Sequence, residues 1–212
     1  MRTQPRFDDL HQWLRWRVND LAVVHRTANP GTSMCLIWAH RSTEEQQLAY
    51  KAGRSKIDGI RRFSLHNYLP SLAADVWVYT NADPDDRDIY ENRPPKSEGL
   101  RLQLLQRGSL KRWYIPMGKL AEEVGLESGA LWRTFRDGPH VQVPKIERMK
   151  FLQHALATKG FDVGPIDGII GRKTKAAIVE AERASGINGR LRRGLMPVTP
   201  SLWRWLHQES VS

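Results

Sequence analysis

The sequence predicts an α+β domain with a small antiparallel sheet, followed by a small all-α domain of three helices. Three observations carry that expectation. Two apolar runs rich in β-formers, Ser33 to Ala39 and Leu72 to Tyr79, alternate with helical segments in the first two thirds of the chain. Pro144 ends that pattern, and from Lys145 the residues Ile146, Met149, Leu152 and Leu156 recur at helical spacing, with two more helical segments behind them. A length of 212 residues suits one sizeable core and one small one, so the expected domains are 1–144 and 145–212.

The elements follow in order. Leu10, Trp13, Leu14, Val18 and Leu21 lie on one face of an opening helix within Phe7 to Val24, and Asn29-Pro30-Gly31-Thr32 reads as the loop after it. Ser33 to Ala39 is then a buried strand, and Ser42-Thr43-Glu44-Glu45 has the form of a capping box opening a helix through Tyr50. Leu72 to Tyr79 is the central strand. Asn81 to Gly99, with Pro94-Pro95 inside it, reads as a long polar excursion, Lys119 to Val124 as a helix, and Trp132 to Val143 as a further strand. In the tail, turn-rich Gly160 to Gly171 separates the first helix from a second near Lys173 to Arg183, and Thr199-Pro200-Ser201 caps a third.

Composition narrows the function classes. Forty per cent hydrophobic residues and eight tryptophans describe a folded protein with real cores, not a disordered or fibrous one. No window approaches a membrane span, and the N-terminus has no apolar stretch to make a signal peptide, so synthesis in the cytoplasm is expected. The one cysteine, Cys35, has no partner for an intramolecular disulfide and reads as a small buried side chain. A net charge of +10 favours an anionic partner, and the tail is the more basic part, with twelve Lys and Arg against six Asp and Glu from Lys145 onward. Arg190, Arg192 and Arg193 raise a nucleic-acid binder as one class, but no stacking motif or groove-reading helix accompanies them, so specific nucleic-acid binding is not expected.

Two of the seven histidines sit where ligation is plausible, in Ser64-Leu65-His66-Asn67-Tyr68 and in Arg136-Asp137-Gly138-Pro139-His140. Asp75 adds a carboxylate inside the apolar run Leu72 to Tyr79, where burial is costly unless it meets a cation or a strong donor. His66, Asp75 and His140 together supply the three ligands of a catalytic zinc that keeps one position open for water. Asp137, three residues before His140, is the general-base candidate.

These residues resemble the zinc peptidases of the D-alanyl-D-alanine carboxypeptidase and L-alanyl-D-glutamate endopeptidase family, which includes many phage endolysins. Ser64-Leu65-His66, Ala73-Ala74-Asp75 and Asp137-Gly138-Pro139-His140 match its Ser-x-His, Ala-x-Asp and Asp-x-x-His segments. Arg41-Ser42-Thr43-Glu44-Glu45-Gln46 is similar to its helix start, and Gly125-Leu126 with Gly129-Ala130-Leu131-Trp132 to the segment before the last histidine. The resemblance implies zinc held by His66, Asp75 and His140, Asp137 taking a proton from the attacking water, and Arg41 stabilising the oxyanion, with Ser64, Gln46 and Trp132 supporting substrate and ligands. The stretch between His66 and Asp75 departs from the commoner family pattern, being longer and carrying Leu69-Pro70-Ser71 in place of a glycine.

In the tail, Leu152-Gln153, Gly160-Phe161, Gly164-Pro165-Ile166-Asp167-Gly168-Ile169-Ile170-Gly171 and Thr174 with Ala177 resemble the three-helix peptidoglycan-binding module of wall hydrolases. The two resemblances together imply a monomeric peptidoglycan peptidase of the endolysin type, acting on the wall after release from the cytoplasm, with anionic wall or outer-membrane polymers as further partners. The L-alanyl-D-glutamate bond is the first choice of substrate, because a wall-binding module without a signal peptide suits a lysin. A D-alanyl-D-alanine carboxypeptidase and a non-catalytic wall-binding phage structural protein are the other readings.

Overall fold

The computed structural model describes residues 6–80, 110–187 and 195–208. The chain divides into two compact units, Met1–His40 with Ala73–Val143, and Arg41–Leu72 with Pro144–Ser212. The expected excursion Asn81 to Gly99 and the arginines at 190, 192 and 193 lie outside the described residues.

The first unit opens with helix α1, Gln12–Ala28, whose Leu14, Val18 and Leu21 are fully buried. Gly31, at φ 79°, takes the left-handed turn that sends the chain into strand β1, Thr32–Trp38. Strand β2 is Ala73–Thr80, helix α3 comes later at Ile115–Glu123 after a π-helical turn, and Glu127–Ser128 and His140–Gln142 are β3 and β4. The sheet is antiparallel throughout in the order β1-β2-β4-β3. Ala73, Ala74, Val76 and Val78 of β2 have no exposed surface, as an apolar strand hydrogen-bonded on both sides requires. A register shift between Leu36 and Trp38 brings Trp38 opposite Asp75.

The sheet is shorter than expected at its end. Trp132 to Val143 yields a strand only at His140–Gln142, because Gly138 and Pro139 form a turn directly before it. Edge strand β3 lies in Glu127–Ser128, just before the 3-10 turn Gly129–Leu131. Two residues are too few for an alternating pattern to reveal.

In the second unit the Ser42 capping box forms in both directions. Glu45 N–H donates to Ser42 Oγ at 3.2 Å and Ser42 N–H to Glu45 Oε2 at 3.0 Å, opening helix α2, Thr43–Lys51. The C-terminal helices are α4, Lys145–Thr158, α5, Arg172–Ser185, and α6, Pro200–His207, each packed on the other two. Leu152, Leu156, Ile178, Leu202 and Trp203 fill their core. Gln153, itself buried, ties down the α4–α5 connection, donating to Pro165 O at 3.0 Å and Ile169 O at 3.1 Å while accepting from Gly168 N–H at 2.8 Å. Gly168 sits at φ 82°, and a Cβ there would lie 2.8 Å from the Ile146 carbonyl, so this tight turn admits only glycine.

The segment Arg41–Leu72 shares its core with these helices. Tyr68 Oη donates to Val198 O at 3.0 Å, Trp203 Nε1 donates to Pro70 O at 3.0 Å, and the two rings meet edge to face with centroids 6.2 Å apart. The Leu69-Pro70-Ser71 extension therefore has a packing role, with the Pro70 carbonyl as the acceptor for a buried indole.

Trp203→Ala should cost about 3–5 kcal/mol in urea unfolding, and Tyr68→Phe about 1 kcal/mol by stranding the Val198 carbonyl. A silent Tyr68→Phe would contradict a stabilising Tyr68–Val198 hydrogen bond. His25 gives a pH signature: buried in α1 beside Thr32 Oγ1 at 3.3 Å, it has its pKa lowered by burial to about 4. The unfolded chain then binds a proton in a range where the folded chain does not. Stability should be full above about pH 6.5 and fall toward pH 4, by at most about 3 kcal/mol. His25→Gln should flatten that part of the melting-temperature profile, and an unchanged slope would contradict the assignment.

Candidate metal centre and its supports

Asp75 on β2 and His140 on β4 are directly opposed in the antiparallel register, so their side chains share one face of the sheet. Both are 7% exposed, and Asp75 Oδ1 lies 3.0 Å from His140 Nδ1. Burial alone would lower the imidazole pKa. The hydrogen bond and charge of Asp75, the charge of Asp137 and the hydrogen bond to Gln142 outweigh it and raise that pKa above the ordinary value. The carboxylates of Asp75 and Asp137 thus favour positive charge at this point of the sheet.

Asp137 reaches this point through a short turn. Its N–H donates to Gly129 O at 3.0 Å, its carbonyl accepts from His140 N–H at 3.2 Å, and Val76 N–H of β2 donates to Pro139 O at 2.9 Å. Two glycines let the turn sit close. A Cβ on Gly129 would lie 2.6 Å from Asp137 O and 3.0 Å from His140 Cβ, and one on Gly138 would lie 2.9 Å from the Tyr114 ring. Trp132 stands beside His140, with ring centroids 5.2 Å apart, and its Nε1 donates to Glu127 Oε1 at 3.3 Å. Sequence reasoning missed Gln142, whose Oε1 lies 3.0 Å from His140 Nε2, and Tyr114. The first was findable, since residues two apart on a strand share a face; the second was not, because its contact with Gly138 is long-range.

Four other expected site residues fall together in the second unit. His66 is 2% exposed in the 3-10 turn Leu65–Asn67, where Ser64 Oγ accepts from His66 N–H at 3.4 Å and Asn67 Oδ1 accepts from Ser64 N–H at 2.8 Å. Arg41 is clipped to this turn, its N–H donating to His66 O at 2.8 Å and its carbonyl accepting from Asn67 Nδ2 at 2.9 Å. Its guanidinium donates to Gln46 Oε1 at 3.1 Å. Gln46, fully buried, donates in turn to Ser55 Oγ at 2.8 Å and Ile57 O at 2.7 Å. Ser64 is thus the cap of the histidine turn, and Gln46 the residue that fixes the direction of the Arg41 side chain.

His66, Asp75 and His140, all buried, are a group that could hold a metal ion. Two imidazoles and a carboxylate are a donor set suited to zinc.

Residues 146–189 match a family model described as a putative peptidoglycan binding domain. That segment carries most of α4 and all of α5. Among solved structures, the chain is similar to the crystal structure of Serratia marcescens L-Ala D-Glu endopeptidase ChiX, at 18% identity, with 70% of this chain and 93% of that one covered and a TM-score of 0.41. No helix among the described residues is long and apolar enough to cross a membrane.

Gly129→Ala should displace the Asp137–His140 turn, because the atom it meets is backbone and cannot step aside. We expect a loss of about 1–3 kcal/mol in thermal unfolding, with amide shifts concentrated in residues 137–142. A parental melting temperature and spectrum would show that the turn is not packed on Gly129.

Proposed function

We propose that the chain is a zinc-dependent peptidoglycan peptidase of the endolysin type, with a catalytic domain in residues 1–144 and a wall-binding domain in 145–212. The observation that carries the reading is the Asp75–His140 pair, a buried carboxylate and imidazole side by side, the carboxylate in a strand whose Ala73, Ala74, Val76 and Val78 are fully buried. Burying such a pair for stability alone is a poor bargain, since apolar residues of the same volume often do as well. As ligands they have a use.

His66, Asp75 and His140 would hold the ion. Zinc bound there would supply Lewis acidity toward a scissile carbonyl and the water that attacks it. Asp137, whose charge is felt by His140, accepts the proton of that water and returns it to the leaving amine. Arg41, with its guanidinium held by Gln46, offers fixed donors to the oxyanion, a contribution worth a few kcal/mol when the donor is preorganised. Trp132 packs on His140 and limits the positions its ring can take.

The match at 146–189 supports peptidoglycan as the partner of the C-terminal helices. The excess positive charge of that part adds long-range attraction to anionic wall polymers, which salt should weaken. The L-alanyl-D-glutamate bond is the proposed cleavage site, and host lysis the proposed role.

Asp137→Asn tests the mechanism, with zinc content and turnover of a soluble muropeptide measured together. As a general base, Asp137 is worth roughly 10²- to 10⁴-fold in turnover, and the variant should keep its zinc. If Asp137 only buttresses His140, zinc affinity should fall about 10- to 100-fold and excess zinc should restore the rate. A variant that holds zinc and turns over at the parental rate would leave the mechanism without a base. Chelation should abolish activity of the parent and added zinc restore it, whereas activity without bound metal would refute the metal reading.

A further inference from the structure

Strand β4 carries a second polar side chain on the face that carries His140. His140 and Gln142 lie two residues apart, so strand periodicity puts both on one side, with fully buried Val141 on the other. Gln142 is 4% exposed, and its Oε1 lies 3.0 Å from His140 Nε2. On the other side of the ring, Asp75 Oδ1 lies 3.0 Å from Nδ1. Both oxygens only accept, yet they differ in kind. Nδ1 faces an anion able to bind a cation, while Nε2 faces a neutral amide.

A histidine ligates a metal through one nitrogen of the neutral ring, and the hydrogen bond made by the other nitrogen decides which. With Asp75 as the sole acceptor, the proton would settle on Nδ1 and block the position an ion has to share with Asp75. An acceptor at Nε2 reverses that preference. We propose that Gln142 is a positioning residue that holds His140 in the tautomer protonated at Nε2, so that the Nδ1 lone pair is turned to a metal ion shared with Asp75. The inference rests on the metal reading of His66, Asp75 and His140. The amide is suited to the task because it accepts without adding a second negative charge beside Asp75.

The test uses the full chain and two variants. Gln142→Leu removes the acceptor at similar volume, and Gln142→Glu keeps one. Zinc affinity is measured by competition with a chromophoric chelator, alongside thermal melting of the metal-free proteins. Gln142→Leu should bind zinc about 10- to 100-fold more weakly at a near-parental metal-free melting temperature, and Gln142→Glu should restore affinity to within a few-fold of the parent. Long-range proton–nitrogen spectra of the zinc-loaded parent, with His140→Ala to assign the ring, should show His140 protonated at Nε2 and metal-bound at Nδ1. That spectrum decides the matter even if Gln142→Leu fails to fold. Parental affinity in Gln142→Leu, or a His140 ring protonated at Nδ1 in the zinc-loaded parent, would overturn the inference while leaving the metal reading intact. A parent that takes up no zinc would overturn both.

Discussion

The antiparallel opposition of Asp75 and His140 is the constraint on which the rest of the first unit depends. Neither side chain is at home where it sits: a carboxylate between fully buried Ala74 and Val76 carries a heavy desolvation cost, and an imidazole beside it carries its own. Each is tolerable because the other stands 3.0 Å away. The surroundings maintain that distance. The β2–β4 register fixes the two backbones, Val76 N–H holds Pro139 O, and Gly129 leaves room for the Asp137–His140 turn to lie flat. A longer side chain at Gly129 or a slip of one residue between β2 and β4 would part the pair and leave a charge buried alone, which costs far more than the pair is worth.

The second unit solves a different problem, the placing of side chains on irregular backbone. His66 and Arg41 lie in a loop and at a helix start, where regular hydrogen bonding cannot hold them. Their backbones are clipped together, with Ser64 and Asn67 capping the histidine turn and Gln46 directing the guanidinium. The same unit contains the C-terminal helices, and Tyr68 and Pro70, within four residues of His66, make their hydrogen bonds to Val198 and Trp203. The core of the C-terminal helices is therefore completed by the segment that carries His66.

Much of this was legible in the sequence because it follows from local chemistry. The Ser42 capping box, the helices α1, α4 and α5, the strands β1 and β2 and the glycine-bound turn before α5 all come from patterns that sit within a few residues of one another. Asp75 announced itself as a charge in an apolar run, and His140 as the end of a turn containing an acid. What could not be read depends on tertiary contacts. Strand β3 exists only because β4 lies beside it, Tyr114 matters only because Gly138 comes under its ring, and the Leu69-Pro70-Ser71 extension makes sense only once Trp203 is seen to donate to Pro70. Gln142 lies between these cases, since strand spacing links it to His140 but the contact has to be seen before it means anything.

The central claim is that this chain, loaded with zinc, breaks a peptide bond of the wall. Purified peptidoglycan digested with the zinc-loaded full chain, and analysed by mass spectrometry against a chelated control, tests it most directly. The account predicts soluble stem peptides with a new amino terminus at D-glutamate, and glycan strands still bearing L-alanine, only in the presence of metal. Wall that binds the zinc-loaded chain yet yields no new peptide ends would contradict it and make the chain a binding protein.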